Sequence, residues 1–190
     1  MKPYPISMHQ LDKVKIEIKK MLKLGIISRS KSQYINPCVV VPKKDGSFRL
    51  FLDARKINNR IENDHGAPPS IEEILQKCNG IKCMSSLDLT ASYWQIELTE
   101  DSKKYTAFMV DGKVYEYSVC PFGLKVSGPA LLRGLKMILK LLYAFLLQFV
   151  DDLMPVSKSV AEHLYHIQKL LKTLAENNVT LNFEKTEFFK

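Results

Sequence analysis

Two adjacent carboxylates, Asp151 and Asp152, sit inside an apolar run, Phe145-Leu146-Leu147-Gln148-Phe149-Val150-Asp151-Asp152-Leu153-Met154. Neighbouring negative charges repel, and burying them is costly unless something neutralises them. A tight turn between two strands would bring both to a surface, where a divalent cation could bridge them. A solvated Asp-Asp turn is the alternative, because surface turns favour Asp. A third carboxylate, Asp88, ends a second apolar run, Cys83-Met84-Ser85-Ser86-Leu87-Asp88-Leu89. If the two runs are neighbouring strands of one sheet, three carboxylates converge. Carboxylates with room for water suit Mg²⁺, which keeps several waters and binds substrate phosphates. Two such ions about 3.5–4 Å apart would activate a hydroxyl and steady a pyrophosphate leaving group.

Patterning predicts the elements that must carry these groups. Ser7 with Gln10 reads as a capping box for a helix whose stripe is Leu11, Val14, Ile18, Met21 and Leu22, ending at Gly25. Lys13, Lys15, Lys19, Lys20 and Lys23 line its other face. Solvation is the default for such a face and phosphate contact the alternative. Pro37 to Pro42, a turn Lys43-Lys44-Asp45-Gly46-Ser47, and Phe48 to Asp53 predict a hairpin. It carries Lys43 and Lys44 at its tip and Arg49 at the start of its return strand. Such a tip either stays solvated or closes over a triphosphate, with Arg49 as a forked donor. Gly66-Ala67-Pro68-Pro69 breaks the chain, and Ser70 with Glu73 caps a short helix carrying Ile71, Ile74, Leu75 and Cys78.

After Asp88, the turn Thr90-Ala91-Ser92 leads to Tyr93, and Trp94 to Leu98 alternates like a strand. Tyr105–Val110 and Lys113–Val119 predict a hairpin turning at Asp111-Gly112. A turn at Pro121-Phe122-Gly123-Leu124 precedes a helix that opens at Ser127-Gly128-Pro129-Ala130 and runs to about Leu142. Ser159 with Glu162 is a third capping box, followed by the stripe Leu164, Ile167, Leu170, Leu171 and Leu174. A last strand covers Val179–Phe183. Helices interleaved with short strands and hairpins give an α+β class with an antiparallel sheet.

The 190 residues suit one domain or two intimate subdomains, and 46% hydrophobic content supports a core. A net charge of +8 favours a polyanionic partner. Cys38, Cys78, Cys83 and Cys120 form no metal or disulfide pattern and read as buried or half-buried thiols of an intracellular protein. His163 and His166 lack further ligands and are expected on a helix surface. No secretory leader is visible at Met1-Lys2-Pro3-Tyr4-Pro5, and the apolar run from Met137 to Val150 is too short to span a membrane.

Several motifs, in order, resemble retroelement reverse transcriptases. They are Val41 to Arg49, Leu52-Asp53-Ala54-Arg55-Lys56-Ile57-Asn58, Leu87-Asp88-Leu89 with Tyr93 and Gln95, Cys120-Pro121-Phe122-Gly123-Leu124, Phe149-Val150-Asp151-Asp152, and Leu181 to Phe189. The best fit is the RNA-directed DNA polymerase of gypsy-type LTR retrotransposons. The resemblance implies a right-hand polymerase with an antiparallel palm sheet packed on helices. Fingers would cover 1–63 and 96–127, palm 64–95 and 128–190, with no residues for a thumb. Asp88, Asp151 and Asp152 would be the catalytic, metal-holding carboxylates, with Asp152 the lesser ligand and the Leu89 carbonyl assisting. Two Mg²⁺ ions, or Mn²⁺ in their place, would be the cofactors. Lys43 and Arg49 match residues that hold the incoming triphosphate. Tyr93 matches the aromatic under the sugar that hinders a 2′-hydroxyl. Phe122 matches the position beside the incoming nucleotide, and Gly123 lets backbone approach closely. A plain core role is the alternative for Tyr93 and Phe122.

The implied partners are an RNA template, a DNA or RNA primer and deoxynucleotides, with no membrane. The implied setting is cytoplasmic, with a virus-like particle or the nucleus as alternatives. Pro155, three residues after Asp152, belongs on an edge or bulge because it lacks an N–H. Three readings compete: a polymerase core within a truncated element copy, a non-catalytic nucleic-acid-binding remnant, and an assembly fragment without nucleic-acid affinity.

Overall fold

The computed structural model describes residues 4–42, 48–64, 72 and 78–190. Lys43, the hairpin tip 43–47 and the capping box Ser70/Glu73 lie outside the described residues. The chain forms two compact units, each built from two separate stretches: Met1–Asn63 with Ile96–Ser127, and Asp64–Gln95 with Gly128–Lys190.

The first unit starts with α1 (Met8–Lys23), which buries Val14, Ile18 and Met21 against β1 (Ile27–Arg29) and β3 (Phe48–Leu52). Ser7 is the N-cap residue, but its side chain makes no capping bond; its backbone carbonyl accepts from Gln10 N at 2.9 Å instead. Gly25, at φ +70°, ends the helix, and Ile26 N returns to Met21 O. Lys15 is not simply solvated, because its ammonium pairs with Asp111 at 2.8 Å.

Strand β2 (Cys38–Pro42) pairs antiparallel with β3, and a short α2 (Arg55–Asn58) follows. α3 (Glu100–Lys103) leads to β6 (Phe108–Val110) and β7 (Lys113–Tyr117), joined at Asp111-Gly112 with both residues at positive φ. β1, unmarked by any sequence expectation, pairs with β7. Phe108, Tyr117 and Ile27 are fully buried in this unit.

The second unit holds β4 (Cys83–Met84), β5 (Ser86–Leu89), α4 (Ser127–Ile138), β8 (Leu146–Phe149), β9 (Asp152–Ser157), α5 (Val160–Glu176) and β10 (Leu181–Glu187). α4 enters it after its first residue. Antiparallel strands run β10-β5-β9-β4, and β8 pairs with the other side of β9. β9 is therefore an interior strand, and it contains Pro155. Ser85, at the break between β4 and β5, donates to Pro155 O at 3.2 Å, so the missing N–H falls where the ladder is already interrupted.

Ser159 caps α5 as its capping box predicts: Glu162 N donates to its Oγ at 3.3 Å, and the Glu162 carboxylate accepts from Lys158 N at 2.7 Å. The helix buries His163, Ile167, Leu170 and Leu174, whereas Leu164 is exposed. The surface placement expected for His163 is thus overturned. Ser85 Oγ lies 2.7 Å from its Nε2 and Ser157 Oγ 2.9 Å from its Nδ1, which satisfies a polar ring in the core.

The strand expected at Trp94–Leu98 is also overturned. Ser92–Gln95 is a 3₁₀ turn, and only Glu97 forms a bridge, to Val119. The Gln95 side chain fixes this turn: Nε2 donates to Thr90 O (2.7 Å) and Thr180 O (3.0 Å), and Oε1 accepts from Thr180 N (2.9 Å). The cysteines are free; Cys38, Cys83 and Cys120 are buried and Cys78 is half-buried. Among the described residues no helix is long and apolar enough to cross a membrane.

Candidate active site

The strand register brings the distant carboxylates of the second unit together. Asp88 in β5 stands directly opposite Asp152 in β9 and, on its other side, opposite Asn182 in β10. Phe149 in β8 opposes Asp152. Directly opposed residues project from one face of a sheet. A row Phe149–Asp152–Asp88–Asn182 therefore crosses that face, while Leu87, Leu153 and Gln148 are buried with the other set.

A two-residue turn, Val150-Asp151, joins β8 to β9. Val150 has φ +56°, a left-handed conformation that β-branched residues seldom adopt. Gln148 holds the turn from inside: Nε2 donates to Val150 O at 3.2 Å, and Oε1 accepts from the Tyr143 hydroxyl. Asp151 accepts from Ser92 Oγ at 3.3 Å. Burial, then the charges of Asp151 and Asp88, push the Asp152 carboxyl above its ordinary range, and Lys185 opposes that rise. Lys185 Nζ lies 3.7 Å from Asp88 Oδ2.

Tyr93 stands on the Ser92–Gln95 turn, half-buried. Burial, and then the Asp151 charge, raise its hydroxyl above the usual tyrosine range. Leu89 is buried in β5 opposite Leu181.

The remaining described candidates belong to the first unit, where Arg49, Phe122 and Gly123 cluster. The Arg49 guanidinium lies 5.6 Å from the Phe122 ring centroid and 5.8 Å from that of Phe51, and the two rings meet edge-on at 5.7 Å. Gly123 sits at φ +106°, and a Cβ there would come within 2.6 Å of Leu52 O. Only glycine meets both demands. Asn58 clamps this turn: its Nδ2 donates to Gly123 O at 2.8 Å and its Oδ1 accepts from Lys125 N at 2.9 Å. A groove of about 1000 Å³ in the same unit, lined by Tyr34, Ile57, Arg60 and Tyr105 among others, involves none of the site residues expected from the sequence.

Among the described residues no three His, Cys, Asp or Glu side chains are gathered into a ready-made metal cage. Mg²⁺ does not need one, because it uses one or two carboxylates and keeps water and substrate phosphates as its other ligands. Hard oxygen donors on one half-exposed face, with one carboxyl raised by burial and then by its neighbours' charge, fit such an ion.

Sequence reasoning missed Lys185, Gln148 and Asn58 as site-shaping residues. Gln148 was signalled by being polar inside an apolar run. Asn58, at the end of the four-residue α2, and Lys185, in the bulged part of β10, carry no periodic signature of such a role.

The sequence model of the family described as "Reverse transcriptase (RNA-dependent DNA polymerase)" matches residues 41–190. The chain belongs to the reverse transcriptase family. Over 98% of its length this reverse transcriptase chain is 37% identical to the retrovirus-related Pol polyprotein from transposon gypsy of Drosophila melanogaster, covering 19% of that polyprotein. The Pol polyprotein of transposon 297 from the same organism is 36% identical over the whole chain, which covers 18% of it. The foamy viral protease–reverse transcriptase, solved in complex with an RNA/DNA hybrid, superposes with a TM-score of 0.89 at 26% identity over 99% of the chain. The chain covers 25% of that structure. It thus spans about a fifth to a quarter of the length of these relatives. The mixed α+β architecture with antiparallel sheets is the reverse transcriptase fold.

Proposed function

We propose that the chain is the fingers-and-palm core of an RNA-directed DNA polymerase of the gypsy type, adding deoxynucleotides to a primer on an RNA template. The observation that carries this reading is the direct opposition of Asp88 and Asp152, with Asp151 in the adjoining turn. The second unit is the palm and the first the fingers. Asp88 and Asp151 would be the principal ligands of two Mg²⁺ ions, with Asp152 and the Leu89 carbonyl as lesser ones. When bound, the ions lower the pKa of the primer hydroxyl and offset the charge of the leaving pyrophosphate.

The chain's own groups do the rest by position. Asp88 acts from β5 and Asp151 from the β8–β9 turn. Tyr93 lies under the sugar and blocks a 2′-hydroxyl. Lys43 and Arg49 hold the triphosphate, Phe122 packs beside the nucleotide, and Gly123 lets the main chain come close. Arg49 is suited to this because its planar guanidinium, a fork of donors, lies over the Phe51 and Phe122 rings. The net charge of +8 supports binding to the template–primer backbone, with an affinity that falls as salt rises. A complex of the foamy viral relative with an RNA/DNA hybrid supports the same class of partner.

The test is extension of a DNA primer on an RNA template by the chain fused to the thumb of a relative. Mg²⁺-dependent extension is expected, with Asp151→Asn slower by about 10³-fold or more. No extension, or Asp151→Asn equal to wild type, would contradict the reading. The basic charge alone favours the second reading, a non-catalytic binder. That reading predicts salt-sensitive nucleic-acid binding, without extension, that survives loss of Asp88 and Asp151.

A further inference from the structure

We propose that Lys185 is a resident counter-cation of the acidic site, aimed at Asp88 by a bulge in β10 and displaced when a divalent ion binds there. This rests on the metal-binding reading given above. The bulge is the decisive feature. β10 opposes Asp88 with Asn182 but Ser86 with Glu187, so it advances five residues while β5 advances two. Thr186 Oγ1 donates to Asn182 O at 2.9 Å and closes the extra loop on itself.

Without the bulge, the register at Asn182 would carry Lys185 opposite Ser85. The two-residue period of a strand would then send its side chain to the face away from Asp88. The three extra residues reverse this, placing Lys185 Nζ 3.7 Å from Asp88 Oδ2. Bulges beside functional sites re-aim side chains in this way.

The chemistry fits a stand-in for a metal. Asp88 has a carboxylate directly across the strand and another in the adjoining turn, so this face gathers negative charge. Lys185, with its ammonium 3.7 Å from Asp88 Oδ2, offsets part of that charge. The lysine side chain is 69% exposed and its contact is long, so the pair is weak and easily given up. A divalent ion on Asp88 would place two positive charges beside the ammonium. Repulsion between the two cations would weaken the lysine's already long contact, and on its flexible stem it would withdraw into solvent.

The test is Mn²⁺ binding to the chain at constant ionic strength, read as loss of the free-ion electron paramagnetic resonance signal. Lys185→Gln should bind Mn²⁺ about three-fold more tightly than wild type, the size expected for loss of a weak surface ion pair. Lys185→Arg, which keeps the charge, should match wild type. In an Asp88→Asn background, Lys185→Gln should change nothing. Equal or weaker binding by Lys185→Gln, or the same gain without Asp88, would overturn the inference while leaving the metal reading intact. If neither wild type nor Lys185→Gln binds Mn²⁺, the metal reading itself fails and the inference falls with it.

Discussion

Val150 shows what one residue costs to present another. A β-branched side chain at φ +56° lies in sparsely populated backbone space, a strain of order 1–3 kcal/mol. Gln148 and Tyr143 hold it there, and Asp151 gains its place at the turn. Val150→Gly should relieve the strain by more than the added chain entropy costs, raising stability by about 0.5–1 kcal/mol in denaturant unfolding. A loss of stability would show that Val150 is not strained.

Asp152 pays in the same direction. Its folded-state carboxyl titrates above its ordinary range, so the folded protein holds that proton to higher pH than the unfolded chain does. Its contribution to stability is favourable in acid and is lost as pH rises through the raised value. At neutral pH the ionised group is therefore a burden. Asp152→Asn should stabilise the metal-free protein by a few tenths to about 1 kcal/mol given its partial exposure, read as a higher melting temperature; a lower melting temperature would contradict this. Gly123→Ala should do the reverse, losing about 1–3 kcal/mol, since it must move Leu52 backbone and adopt a forbidden φ. At this scale the sequence was informative where chemistry is concentrated in residue type. Adjacent aspartates announce themselves, and so does a glycine in a Pro-Phe-Gly turn. Lys185 does not, because one lysine among many is indistinguishable until backbone geometry selects it.

At the scale of elements, legibility followed periodicity. The α5 stripe and its Ser159 cap were readable because side chain and backbone needs coincide there. Trp94–Leu98 misled, since its alternation is strand-like while Gln95 ties the segment into a 3₁₀ turn through the carbonyls of nearby Thr90 and distant Thr180. α5 also misled at His163, whose burial depends on two serines from β9 and the β4–β5 break. Burial, and then His166, lower the pKa of this histidine. A lowered folded value means the unfolded chain binds more protons, so stability falls as pH drops below the ordinary histidine range. The melting temperature should decline between pH 7.5 and 5.5, and His163→Asn should flatten that decline. An equally steep decline in the variant would place the titrating group elsewhere.

At the scale of the molecule, two units are each assembled from two stretches of chain. The order of motifs along the sequence was legible, and it leads to the family that the chain belongs to. The pairing that unites Asp88 with Asp152 was not, because strand neighbours are set by tertiary packing rather than by spacing. That pairing is tested most directly by replacing Mg²⁺ with Fe²⁺ and letting ascorbate and peroxide generate hydroxyl radicals at the bound ion. Backbone cuts should appear in two segments, around Asp88 and around Val150 to Asp152. Both should vanish with excess Mg²⁺ or in Asp151→Asn. Cuts at only one of these segments, or at neither, would contradict a shared metal site.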